Sequence, residues 1–422
     1  MGEEMHAFAS DLFPICRSLT GAGTRETLNR IGGELPKLKL YEVPSGTKAY
    51  DWTVPDEWNI RSGRLIDPDG KTIVDFDDHN LHVVGYSQPI DREISFEELQ
   101  EHLYSLPEQP DVIPYITSYY RRHWGFCLPH KQRKALKPGT YRAIIDADLS
   151  PGSLTYGELL IPGETEQEIF LSTYVCHPSM ANNELSGPAV TTWLAKWIAS
   201  APRRYSYRIV FIPETIGSIV YLSRNLERMK QTVIAGFNVT CVGDERCYSY
   251  LPSRRGHTLA DRVAQHVLKH HTDSYRSYSF LDRGSDERQY CSPGADLPVA
   301  TIMRSKYGTY PEYHTSADDL QFVTPKGLEG AYRALRTCIE LIEDNGKWMA
   351  TTVGEPQLGK RGLYPDVSTP NGALIVRDMM NVLAYSDGTL DLIELADLIG
   401  IDARRCREII GTLVDKDLLA EV

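Results

Sequence analysis

His177, Glu214 and His314 are the residues of this sequence whose types and surroundings could do chemistry together. They sit in the segments CHPSMANNELSG (Cys176–Gly187), FIPETIGS (Phe211–Ser218) and YPEYHTSADDL (Tyr310–Leu320). Hydrolysing an amide at neutral pH needs a carbonyl polariser, an activated water and a proton shuttle. A zinc ion held by histidines and a carboxylate meets the first two needs, because it lowers the pKa of bound water from about 15.7 toward about 7. A neighbouring glutamate then carries the proton to the leaving amine. On this reading His177 and His314 are ligands and Glu214 is the acid/base; the plainer reading of each histidine is a satisfied structural residue at a strand end.

The elements that must position these residues follow from periodicity. Between Ser153 and Asn345 the β-type runs EIFLSTYV, YRIVFIP and VIAGFNVTCVG are separated by the helical segments GPAVTTWLAKWIAS and SIVYLSRNLERM. Such alternation predicts an α/β domain with a mostly parallel sheet flanked by helices. Active residues then fall at the carboxyl ends of strands. His177 follows the first run, Glu214 the second and Asp244 the third.

Two helices are expected over Glu4–Leu35, and from Tyr41 the texture changes to short β-type runs such as RLIDPDGKTIVDF and NLHVVGY, broken by Pro, Gly and Asp. This predicts an inserted, mainly β domain over 41–152 between the halves (1–40 and 153–350) of the α/β domain. The insert's aromatic cluster, Tyr115, Tyr119, Tyr120, Trp124 and Phe126, reads as a domain interface in preference to a substrate wall. A linker over Glu355–Pro370 precedes LDLIELADLIGIDARRCREIIGTLVDKDLLAEV, which has the spacing of a helix-turn-helix within a winged-helix domain over 355–422. Arg404, Arg405 and Arg407 lie among many acidic residues there. That balance argues against DNA and for a protein partner or a homo-oligomer contact.

Composition narrows the classes further. The 422 residues carry 45 Lys and Arg against 57 Asp and Glu, a net charge of -12, which argues against nucleic acid and anionic membrane as partners. Eight cysteines without a CxxC pair fit reduced thiols. The start lacks the pattern of a signal peptide, and no apolar run approaches the length of a membrane helix. A soluble cytoplasmic protein is expected.

The segment 153–345 resembles the catalytic domain of the di-zinc aminopeptidase superfamily. The whole chain resembles a bacterial group of aminopeptidase-like proteins with an inserted domain and a C-terminal winged helix, sometimes linked with polysaccharide biosynthesis. The resemblance places His177, Asn183 and Ser186-Gly187 at the ligand, metal-bridge and turn positions of the first corner. It places Glu214 at the general base, and Tyr313-His314-Thr315 with Asp318 at the late motif. Where those enzymes have further carboxylates, this chain has Ser179, Asn183, Thr215 and Thr240. Two divalent ions repel one another and are normally offset by such carboxylates, so these departures leave one metal ion per chain, expected to be zinc, or none. The anionic ligand is then Glu184, Asp244 or Asp286, with Asn183 able to lend an amide oxygen. Glu184 also reads as a helix N-terminal carboxylate, and Asn183 as a turn or cap residue.

The charged loop DRGSDERQYCSPG (Asp282–Gly294) reads as a specificity pocket or a salt-bridged lid. In the pocket reading Asp286 or Glu287 holds a substrate amine and Arg288 or Arg304 a carboxylate. Tyr307 and Tyr310 offer hydroxyls to a tetrahedral oxyanion, Tyr310 as a catalytic group. The expected function is a zinc-dependent amide hydrolase of aminopeptidase type, in which metal-bound water attacks a small aminoacyl or acylamino substrate, including a short peptide. The alternative is a metal-free ligand-binding or scaffold protein on the same fold.

Overall fold

The structure, a computed structural model, describes residues 1–363 and 370–422. The expected linker over Glu355–Pro370 therefore lies partly outside the described residues. The chain divides into two compact units, residues 1–258 with 276–333, and residues 259–275 with 334–422.

The first unit is built on an eight-stranded sheet. Its strands are β1 (Lys39–Pro44), β2 (Ser153–Ile161), β3 (Glu168–Tyr174), β4 (Ser206–Ile212), β5 (Val233–Asn238), β6 (Ser249–Leu251), β7 (Arg276–Ser277) and β8 (Val299–Met303), in the order β1-β2-β4-β3-β5-β8-β6-β7. The central strands β4, β3, β5 and β8 are parallel, and β2 and β6 join them antiparallel on either side. Near-continuous apolar runs such as EIFLSTY and SYRIVFI suit strands covered on both faces, and every residue of β3 is buried. Among the covering helices are α1 (Gly2–Leu12), α2 (Ala22–Glu34), α3 (Ser186–Ile198) and α4 (Ile216–Thr232). Met5, Ala9 and Leu12 give α1 one buried stripe at helical spacing.

The insert leaves and re-enters at one edge of this sheet. Lys39–Pro44 pairs antiparallel with Ser153–Glu158, so Tyr41–Pro44 belong to the main sheet and the insert begins four residues later than expected. Its core is an antiparallel sheet of Thr72–Asp75, Glu57–Ile66, Thr140–Ser150 and Ile90–Ser95. The strand Thr140–Ser150 buries Tyr141, Ala143, Ile145 and Ala147 in alternation, as a sheet with one core face requires.

In the second unit a three-stranded antiparallel sheet, ordered Asp387–Asp391, Lys347–Ala350, Leu419–Glu421, accompanies the helices Leu392–Ile399 and Ala403–Val414. Gly400 ends the first helix at φ 76°, and Asp402 caps the second. The helix Leu259–His271 also belongs here. Its Arg262 pairs with Asp391 and Glu394, and its His266 with Asp397 at 2.9 Å. Arg404 pairs with Asp402, Arg405 with Asp378, and Arg407 lies 3.8 Å from Asp344. Among the described residues no helix is long and apolar enough to cross a membrane.

Candidate active site

The turn leaving β3 delivers Cys176 and His177 into a buried corner. His177 Nδ1 lies 2.8 Å from Glu184 Oε2, and its carbonyl accepts from Arg17 Nε at 3.0 Å. Arg17 comes from the turn between α1 and α2, is fully buried, and approaches the second Glu184 oxygen at 3.8 Å. Burial, then the Arg17 charge, pushes the His177 imidazole down to about 3, so it is neutral. Burial also pushes the Glu184 carboxyl up to about 8, against the pull of Arg17.

The turn leaving β4 supplies the next group. Glu214 donates its N–H to Cys176 Sγ at 3.2 Å, and its Oε2 lies 3.7 Å from His177 Nε2. Burial, reinforced by the Asp286 charge, raises the Glu214 carboxyl above the usual carboxylate range. Thr215 is held at φ 64°, its N–H donating to Asp286 Oδ1 at 2.7 Å and its Oγ1 accepting from Arg288 Nη2 at 2.8 Å. Asp286 also takes the Ser218 hydroxyl at 2.9 Å, so it secures the start of α4.

His314 arrives from a late loop and also sits in the left-handed region, at φ 57°. Its ring stacks on Tyr313 at 3.9 Å and lies 5.5 Å from the His177 ring. Burial, then His177, lowers its imidazole to about 3. Asp318 ties this loop to the His177 corner by accepting from the backbone of Asn182 at 2.5 Å and Asn183 at 2.9 Å. The insert ties down the other side, with Tyr115 N–H donating to the His314 carbonyl at 2.8 Å. The Tyr115 ring meets both imidazoles edge-on at 5.2 Å.

Together these groups enclose a cavity of about 450 Å³. His177, Glu214, Thr215, Arg288 and His314 form its polar wall, while Trp52, Tyr115, Tyr119 and Tyr120 of the insert form an aromatic one. Of the aromatic cluster expected as an interface, Tyr115, Tyr119 and Tyr120 thus line the cavity, while Trp124 and Phe126 are buried in the hydrophobic core. Arg17 gave no signal in the sequence, because its partners lie far away in the chain.

Several expected site residues stand elsewhere. Asp244 accepts from Ser305 N–H, Ser305 Oγ, Arg246 N–H and Asn182 Nδ2 at 2.8 to 3.2 Å, which uses its lone pairs and leaves none for a metal. Glu287 is consumed by the N–H groups of Gly284 and Ser285, by Asn238 and by the Tyr307 hydroxyl at 2.6 Å, which occupies Tyr307 as well. Tyr310 points its hydroxyl at Asp318 Oδ2, 3.3 Å away, and the Arg304 guanidinium stacks over Tyr248 at 4.0 Å. Asn183 Oδ1 accepts from Tyr174, whose hydroxyl also pairs with Thr240. Neither these residues nor Asp286 and Glu184 line the cavity.

The donor set decides how a metal fits. Among the described residues Cys176, His177 and Glu184 bring three ligand atoms within 4.8 Å of one another. That trio lies on the Nδ1 side, where Glu184 already fills the hydrogen bond and burial keeps Cys176 a thiol. The Nε2 side faces Glu214 at 3.7 Å and the cavity that the neutral His314 also lines, and His177 and His314 are the groups there that would hold an ion, although among the described residues no second trio of ligand atoms lies within 4.8 Å of one another. Asn183, Thr215 and Thr240 offer no charge for a second ion.

A family model described as a domain of unknown function, DUF4910, matches residues 6–345, and a winged helix-turn-helix model matches residues 347–421. A Clostridium acetobutylicum protein, provisionally named for polysaccharide biosynthesis and an aminopeptidase-like domain, is 42% identical over 422 residues, 99% of this chain and 96% of its own. A crystal structure from Clostridium acetobutylicum, provisionally called a peptidase, matches with a TM-score of 0.94 at 41% identity, over 100% of this chain and 96% of that one. A zinc aminopeptidase from Bacillus subtilis matches with a TM-score of 0.58 at 14% identity, over 80% of this chain and 94% of its own, a likeness of fold alone. The chain therefore belongs to the DUF4910 family, with an aminopeptidase-like α/β fold and a C-terminal winged helix-turn-helix domain.

Proposed function

We propose that the cavity hydrolyses the amide bond of a small aminoacyl or acylamino substrate, with one zinc ion held by His177 and His314. The observation that carries this reading is Glu214 Oε2 at 3.7 Å from His177 Nε2, in the wall of a cavity that His314 also lines. The ion supplies Lewis acidity to the carbonyl and to water. Glu214 takes the proton of the attacking water and returns it to the leaving nitrogen. Glu184 holds the His177 ring from behind. The insert limits substrate length, since Tyr115 and the Ile113–Ser316 hydrogen bonds fasten its aromatic wall beside His314.

Eight free thiols support a cytoplasmic setting, and the paired arginines of the winged helix support a protein partner there in preference to DNA. Elemental analysis of protein purified without chelator tests the site. We expect about one zinc per chain, lost in His177→Ala and His314→Ala. Glu214→Gln should keep the zinc and lose at least about 100-fold in turnover; unchanged turnover in that variant would overturn the role of Glu214. The three uncharged side chains at Asn183, Thr215 and Thr240 favour a second reading, a metal-free binding module. Protein that takes up no zinc even when it is added back would select that reading.

A further inference from the structure

The charges that face the cavity are few. Among the described residues, Glu214 is the one carboxylate lining it and Arg288 the one permanent cation. Asp286 and Glu287, the neighbours of Arg288 in sequence, are turned to the start of α4 and to Tyr307 instead. Arg288 is itself held in place, with Nε donating to the Ser285 carbonyl at 3.1 Å and Nη2 to Thr215 Oγ1 at 2.8 Å. Two of its five N–H groups are used in this way. It therefore presents a fixed positive charge beside Thr215.

A substrate ammonium entering this cavity meets that charge and finds only Glu214, which the hydrolysis reading needs as a base. A substrate carboxylate meets a positioned guanidinium able to pair with it in bidentate fashion. The wall of Trp52, Tyr119, Tyr120, Leu19 and Ile216 suits an apolar acyl chain or side chain. The volume of about 450 Å³ is that of a small-ligand pocket.

We propose that Arg288 anchors a substrate carboxylate, so that the site takes N-acyl amino acids in preference to aminoacyl compounds with a free α-ammonium. The inference rests on the amide-hydrolysis reading and names its substrate class. In the reaction the oxygen of water bonds to the acyl carbon and the amide C–N bond breaks. The water proton passes through Glu214 to the nitrogen, and a carboxylic acid and a free amino acid leave.

The test is calorimetric titration of Glu214→Gln protein, with zinc added, using N-acetylphenylalanine, its neutral methylamide and phenylalanine amide. N-acetylphenylalanine should bind at least about tenfold more tightly than either of the others, the difference expected for one charge-assisted pair. The preference should vanish in Glu214→Gln/Arg288→Gln and return in part in Glu214→Gln/Arg288→Lys, with circular dichroism confirming that each is folded. Equal binding of the acid and its methylamide, with Arg288 intact, overturns the anchor. So does a preference that survives Arg288→Gln, because the carboxylate is then held elsewhere. Turnover by the unaltered protein separates the two readings. Arg288-dependent binding without turnover of any ligand keeps the anchor and removes the hydrolase. Turnover of phenylalanine amide but not of N-acetylphenylalanine keeps the hydrolase and removes the anchor.

Discussion

Glu184 Oε2 lies 2.8 Å from His177 Nδ1 with both side chains buried, and Arg17 stands behind the carboxylate at 3.8 Å. Imidazole, carboxylate and guanidinium form a line leading out of the cavity wall into the protein. Glu184→Ala leaves the buried His177 Nδ1 and the Arg17 guanidinium without this partner, at a cost of roughly 1–3 kcal/mol. Urea unfolding should show a loss of that order, and Arg17→Met/Glu184→Leu should recover most of it. Glu184→Gln keeps an acceptor for Nδ1–H and should cost less stability. It should still weaken zinc retention by about 10- to 100-fold in competition with a chelator.

The buried carboxyls fix the sign of a pH effect on the metal-free protein. Burial raises Asp318 to about 7 and Glu184 to about 8, above their ordinary values of 3.8 and 4.5. The folded state therefore holds these protons more tightly than the unfolded one. The resulting stability is complete below the ordinary carboxyl range and is lost as pH rises toward 7 and 8. His177 and His314, lowered from 6.5 to about 3, act in the opposite sense but only below pH 6.5. Denaturant stability of chelator-treated protein should thus fall between pH 6.5 and 8, and less steeply in Asp318→Asn. A rise across that interval would contradict the assignment.

Asn183 donates its backbone N–H to Asp318 Oδ2 at 2.9 Å, while its side-chain Nδ2 is buried without a partner. Asn183→Asp removes that orphaned donor but adds a carboxylate beside a second one. The charge term wins, and the loss should be about 1–3 kcal/mol at pH 8 and smaller at pH 5, where the new group is protonated. Zinc content should stay near one per chain, because Thr215 and Thr240 still contribute no charge. Thermal melting with elemental analysis reads both outcomes.

Tyr115 separates packing from hydrogen bonding. Its hydroxyl meets that of Tyr119 at 2.5 Å, and its ring fills the space against both imidazoles. Tyr115→Phe should cost about 1 kcal/mol. Tyr115→Ala should cost about 3–5 kcal/mol, by analogy with other aromatic truncations, and raise KM by loosening His314. Unfolding curves and steady-state kinetics on the two variants distinguish these effects.

The winged helix carries its own expectation. Arg404, Arg405 and Arg407 each face an acidic residue, so little free positive charge remains to release counterions from a duplex. Fluorescence anisotropy at about 150 mM salt should show no duplex binding at micromolar protein, a concentration range at which non-specific DNA binders are half-saturated.

His177 and Glu214 were legible because local pattern and topology agree on them: each directly follows an apolar run, and the sheet places the ends of such runs on one edge. Asp286, Glu287 and Arg288 were legible only as a charged loop. Which of them faces the cavity depends on partners such as Tyr307 and Ser218, which sequence spacing does not reveal. Arg17 was invisible, since nothing near it hints at His177 or Glu184. The helix Leu259–His271 continued the strand-helix alternation, yet Arg262 and His266 find acids in Asp391, Glu394 and Asp397, far along the chain. The edge strand Lys39–Pro44 was missed for the same reason, because its partner lies beyond the whole insert.

The hydrogen bond from Tyr115 N–H to the His314 carbonyl orders events in time. During synthesis the insert emerges before β3 and β4, yet its aromatic wall cannot be fastened until His314 follows. A half-translated chain thus has Arg17, His177 and Glu214 available but no enclosed cavity. The enclosed cavity is completed only once His314 has left the ribosome and met Tyr115.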